Sequence, residues 1–223
     1  MSGTIPKAPL IWVICGLVML LPGCANGSKK KTGTPDVMSS ADQIEGLQRI
    51  AKAAAQKTPA EQEQMARLLA ASIQKENDSL VRAEIVRTLG YYNTDTALAV
   101  ARAALKDPVN DVRIEACAVL GKKKGPQAVS SLSESLGADV NFDVRLAAAR
   151  ALGETKDRAA QPALGIALED PDPAMQYCAV ESLKQVTGKD LGNDVARWRQ
   201  YVKGEAPAPQ ETPSLAERLR RWF

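Results

Sequence analysis

Of the side chains that could do covalent or acid–base chemistry, this sequence offers four cysteines, a serine cluster and a recurring arginine, and it has no histidine. Without histidine there is no imidazole base to activate a serine or a thiol, and the commonest metal ligand is missing. Ser130, Ser131, Ser133 and Ser135 crowd one short stretch with no histidine and no general-base arrangement to activate them. Their expected role is a solvated or polar contact face, at some cost to helix propensity. No catalytic residue, metal site or cofactor is predicted. Cys117 and Cys178 are expected to stay free and inert, packed as small apolar groups too far apart to bridge. Cys24 is the remaining candidate for chemistry, because of what precedes it.

Leu10 to Leu21 is an uninterrupted run of 12 apolar residues after a polar start carrying Lys7. A spanning helix needs about 20, so the run has the length of a signal-peptide core. It ends in Leu21-Pro22-Gly23-Cys24. This string resembles the bacterial lipobox, with Pro22 in place of the usual small residue. The resemblance implies cleavage after Gly23 and a lipid on the Cys24 thiol. Ala25 in the next position implies the outer rather than the inner membrane of a two-membrane envelope. Residues 1–23 are therefore read as a removed signal and 24–40 as a lipid-anchored flexible tether, polar and rich in breakers. Lys29, Lys30 and Lys31 in it either face anionic headgroups or are simply solvated.

The elements that must position everything else come from self-similarity. Four segments align: Val81 to Gly90, Val112 to Gly121, Val144 to Gly153 and Met175 to Lys184, with starts 31, 32 and 31 residues apart. Leu89, Leu120, Leu152 and Leu183 share one register, and Arg82, Arg113 and Arg145 share another, with Gln176 breaking the series. An acid stands five residues ahead of each segment: Glu76, Asp107, Asp139 and Asp170. Each segment reads as a helix of about three turns. Gly90, Gly121 and Gly153 are predicted to end these helices at positive φ. A second helix follows each of the first three, with apolar faces on Ala97, Leu98, Ala101 and Leu105, on Ala128, Val129, Leu132 and Leu136, and on Ala160, Leu164 and Leu168.

The strings D-P/D-x-x-V-R-x-x-A-x-x-x-L-G resemble HEAT repeats, in the short form of phycobilisome-lyase-like proteins. The resemblance implies an all-α fold, an α-solenoid of about five antiparallel helix pairs spanning 41–203. It also implies second helices along a groove that could take in the serines. The flanks read as caps. One is a helix at Ala41 to Lys57, followed by a capping box at Thr58 and Glu61 with Pro59 between them. The other is a helix bearing Val195, Trp198, Tyr201 and Val202 on one face.

The arginine ladder is expected to pair with acids of its own or the next repeat, not to wait for an anionic ligand, since stacking alone lines up equivalent residues. Lys122, Lys123 and Lys124 read as a solvated basic loop. Beyond a Pro-rich linker at 204–212, residues 213–223 read as a short amphipathic helix. Leu215, Leu219, Trp222 and Phe223 lie on one face, and the arginines on the other. The ten residues from Ser214 to Phe223 do not hold a helix alone, so the segment must dock on the solenoid, a partner or a membrane surface.

Composition agrees. Of 223 residues 45% are hydrophobic but only 4% aromatic, which suits close-packed helices. With 29 Lys and Arg against 26 Asp and Glu there is no nucleic-acid footprint. The expectation is a non-catalytic scaffold or adaptor, exported and lipid-anchored, on the periplasmic side of the outer membrane. It binds another envelope protein and neither nucleic acid nor metal. The alternatives are a bilin-lyase-like or other HEAT-repeat enzyme component, or a structural subunit of an envelope assembly.

Overall fold

Polar caps start most of the helices. Ser39 and Thr58 form capping boxes with Asp42 and Glu61, and Asp78, Thr94, Asn141, Asp172 and Asp194 each accept a backbone N–H of the first turn. The computed structural model describes residues 38–206, and these form an all-α solenoid. In chain order the helices are α1 (Ser40–Ala53), α2 (Pro59–Ile73), α3 (Ser79–Leu89), α4 (Asp95–Ala104) and α5 (Asn110–Lys123). They continue with α6 (Pro126–Ala138), α7 (Phe142–Thr155), α8 (Gln161–Ala167), α9 (Pro173–Thr187) and α10 (Val195–Val202). Short 3₁₀ turns extend α1 at Ala54–Gln56 and lead into α8 at Arg158–Ala160.

The helices form five pairs. The first helices α1, α3, α5, α7 and α9 stack in one layer, and the second helices α2, α4, α6, α8 and α10 in the other. The recurring leucine sits at the centre: Leu89, Leu120, Leu152 and Leu183 are all fully buried. The core runs along the stack as two clusters. One is built on Leu47, Ile50, Leu69 and Leu89, and the other extends from Val86 to Trp198. Ile73 packs against both. Trp198 closes the far end, with its ring fully buried, its indole N–H on the Gly192 carbonyl at 2.8 Å and an edge contact to Tyr201.

The glycines depart from expectation. Gly90 does follow the end of α3, but at φ −57°, and α5 and α7 run on through Gly121 and Gly153. Positive φ falls instead on Lys124 with Gly125 and on Lys156. The glycines are there for space. A Cβ on Gly90 would meet Val119 at 3.2 Å, one on Gly121 the Ala151 carbonyl at 2.9 Å, and one on Gly153 the Ser182 Cα at 2.8 Å. Each contact joins one first helix to the next. At the same register in α9 stands Lys184, paired with Glu181 and bonded to Asn193. A side chain is tolerated there because, among the described residues, no further first helix packs against α9 as the next helix does against the glycines.

Candidate partner-binding surface

The repeated arginines are spent inside the protein. Arg82 grips Asp107 through Nε and Nη2 at 2.8 and 2.9 Å, and Arg113 grips Asp139 in the same two-pronged way at 2.8 and 2.9 Å. Each acid belongs to the following repeat. The third nitrogen of each arginine donates to backbone carbonyls six residues back, Glu76 for Arg82 and Asp107 for Arg113. Arg145 keeps that bond to the Asp139 carbonyl, and the Gln176 amide keeps it to Asp170. Every loop acid also accepts the N–H two residues ahead: Glu76 from Asp78, Asp107 from Val109, Asp139 from Asn141 and Asp170 from Asp172. The side chains are one-tenth or so exposed, at 13% and 11% in the first pair and 10% and 10% in the second. Burial works to raise the pKa of Asp107 and Asp139, but the hydrogen bonds from arginine and backbone hold both carboxyls below the usual aspartate value. The ladder is a seam between repeats. It stops at Arg145, which makes no ion pair with Asp170 among the described residues and lies over the Phe142 ring at 5.5 Å.

The expected basic loop is the last turn of α5, which carries Lys122 and Lys123 and ends at Lys124, and it is only partly solvated. Lys122 and Lys124 are exposed, but Lys123 is half-buried and its ammonium donates to the Tyr92 carbonyl, tying two repeats together. Burial lowers its pKa. Cys117 and Cys178 are free and buried. Burial pushes the Cys117 thiol up to about 12 and raises Cys178 as well, so neither is a ready thiolate.

The serines divide by direction. Ser130 is exposed, whereas Ser131 and Ser135 turn toward α4 and line a groove of about 570 Å³ on the second-helix layer. Its α6 wall also carries Glu134 and Ala138. The α4 wall carries Ala99, Arg102 and Ala103, and Leu105 and Lys106 continue it past the end of the helix. Leu105 apart, both walls repeat the same i, i+3, i+4, i+7 spacing. Arg102 crosses the groove, with Nε donating to Ser131 at 3.1 Å and Nη1 to Gln127 at 3.4 Å. Two other seams of the second-helix layer differ. Thr96 donates to Glu63 between α4 and α2, and Val202 lies against Gly165 between α10 and α8. The α4 stripe had no signature in the sequence, because its residues differ in type from the serines they face.

The other candidate residues, Cys24, Leu215, Leu219, Trp222 and Phe223, lie outside the described residues. Among the described residues no helix is long and apolar enough to cross a membrane.

With this geometry in view, comparison with known proteins is informative about architecture. No curated protein matches the sequence. A solved structure, the complex of CpcE and CpcF of phycocyanin lyase from Nostoc sp., is similar with a TM-score of 0.51 at 18% identity. The alignment covers 80% of this chain and 81% of that one. At this identity the likeness is one of fold. The family model described as HEAT repeats matches residues 65–148 and 136–197, which takes in α3 through α9, the glycine seats and both arginine–aspartate seams. The chain belongs to the HEAT-repeat family.

Proposed function

We propose that this protein is a non-catalytic adaptor, tethered to a membrane by a lipid on Cys24, that holds another envelope protein against its solenoid. The observation that carries the reading is the internal pairing of Arg82 with Asp107 and of Arg113 with Asp139. The charges that recur along the chain stiffen the stack and are not held out to a ligand. A stiff stack presents an extended surface, which is the common use of repeat architectures. The lipobox-like Leu21-Pro22-Gly23-Cys24 supports the anchor and export to the periplasmic side of the outer membrane. Intact mass of the membrane-extracted protein tests the anchor: residues 1–23 should be gone and a diacylglyceryl group present. Cys24→Ser should leave an uncleaved, unacylated precursor. Crosslinking in the native membrane tests the adaptor role. A solenoid that forms no adduct from any face would overturn it.

A second reading draws on the likeness to the phycocyanin lyase complex, namely a part in bilin attachment. Visible absorbance retained by the purified protein after incubation with a bilin would favour it over the adaptor role.

A further inference from the structure

We infer that the groove between α4 and α6 is the docking site for an extended, acidic segment of the partner protein. The inference rests on the adaptor reading and names the partner's chemistry.

Three observations point there. First, the groove is open because its walls are small. Ala99 and Ala103 on one wall and Ser131 and Ser135 on the other leave the space between the helices open, with Leu105 as the one large apolar residue of the lining. The walls run from one residue to the seventh beyond it, roughly 10 Å of helix at 1.5 Å per residue. That is the length of about three residues of extended chain. Walls this small and this long admit a backbone more readily than a bulky side chain.

Second, the positive charge in the groove is unspent. Among the described residues Arg102 donates to the neutral groups of Ser131 and Gln127 and pairs with no carboxylate. Lys106 is exposed and takes no carboxylate among the described residues. Asp139, at the groove's edge, is already neutralised by Arg113. A guest carboxylate would find two cations, Arg102 on α4 and Lys106 just past its end, and among the described residues the one unpaired acid of the lining, Glu134, stands on the opposite wall. This contrasts with Arg82 and Arg113, whose charges are matched within the chain.

Third, the α6 wall offers hydroxyls at the matching depth. Ser131 accepts from Arg102 and keeps its own O–H to donate, and Ser135 is half-buried and lines the groove. Both can bond a guest's backbone carbonyls or amides. Glu134 on the same wall disfavours a second guest carboxylate there, which fixes the guest's direction.

The test uses the full chain in lipid nanodiscs with a fluorophore on Val140→Cys. That position is 93% exposed beside the groove, while Cys117 and Cys178 stay shielded. Titration with an oligo-glutamate peptide should give a saturable signal that weakens with added salt. The same fluorophore on Glu154→Cys, on the exposed face of α7, should stay silent. Arg102→Gln and Lys106→Gln should each weaken binding about threefold to fivefold, as loss of one exposed charge pair would. Ala103→Trp, which fills the groove, should abolish it at unchanged helicity. Equal binding of oligo-glutamine or of a single-stranded oligonucleotide, or indifference to both charge removals, would overturn the proposal. Photocrosslinkers at Ser135 and Glu154 in the native membrane keep this apart from the adaptor reading. A partner captured from Glu154 alone overturns the groove but leaves the adaptor standing.

Discussion

Gly121 of α5 and Ala151 of α7 touch so closely that a methyl group on the glycine would lie 2.9 Å from the alanine carbonyl and 3.0 Å from its Cα. Backbone, not side chain, is the obstacle, so relief requires the two helices to separate. Gly121→Ala should therefore destabilise the protein by about 1–3 kcal/mol, the usual range for overpacking, despite alanine's better helix propensity. Gly46, in the middle of α1, has nothing within 4 Å of its would-be Cβ. Gly46→Ala should raise stability by up to about 1 kcal/mol. Urea midpoints of the two variants moving the same way would contradict this account.

Much of the fold was legible because the repeat is written in residue types. The leucine at Leu89, Leu120, Leu152 and Leu183 marks each first helix, and the cap at Thr58 and Glu61 forms as its spacing implies. The glycines were misread for a physical reason. A glycine near a helix end serves equally as a positive-φ stop or as a seat for a neighbour, and composition does not separate the two uses. Likewise, acids on both sides of Arg82 left open whether Glu76 or Asp107 would take its charge. The structure gives Glu76's carbonyl and Asp107's carboxylate to different nitrogens of the one guanidinium. The groove was half-visible. Its serines stood out, but which of them face α4 depends on how successive helices are rotated, which only packing fixes.

Breaking one rung of the ladder should be costly. Arg113→Gln leaves Asp139 nine-tenths buried without its counter-charge, and the expected loss is about 2 kcal/mol, typical of a charge-assisted hydrogen bond. The glutamine can still donate to the carbonyl six residues back, as Gln176 does to Asp170, so the loop should keep its shape. Gln176→Arg, by the same logic, should change stability little. Thermal unfolding of both variants checks the contrast, and equal losses would mean that the carbonyl bond, not the ion pair, matters.

The same aspartates set an acid limit. Asp107 and Asp139 have folded-state pKa values below their ordinary ones, so their ionised forms are favoured by folding. Their contribution is fully present above the unfolded aspartate value of about 4 and fades as pH falls through the lower folded values. Stability should thus drop from about pH 5 downward. The drop should be shallower when both aspartates are Asn, at the expense of lower stability at neutral pH. An unchanged acid slope in that double variant would remove the ladder from the explanation.

Cys117 and Cys178 should behave as buried hydrocarbon. With both thiols shielded and their pKa values raised, neither should react with a maleimide at neutral pH until the chain unfolds. Labelling with rising urea should follow the loss of helicity for both sites. Prompt native labelling of Cys178 alone would mean that α9 opens locally.

The last prediction concerns residues 213–223, read from sequence as an amphipathic segment with Leu215, Leu219, Trp222 and Phe223 on one face. The solenoid does not need this segment to complete its core. Trp198 and Tyr201 already close the far end, and α10 is seated on α8 through Val202 at Gly165. Deleting 213–223 should therefore leave helicity and melting temperature nearly intact. If the segment docks on a partner, crosslinked yield from the native membrane should fall while the fold persists. If it docks back on the solenoid, the melting temperature itself should fall. A truncated protein that captures its partner as well as the full chain and melts at the same temperature would show that the segment serves neither role.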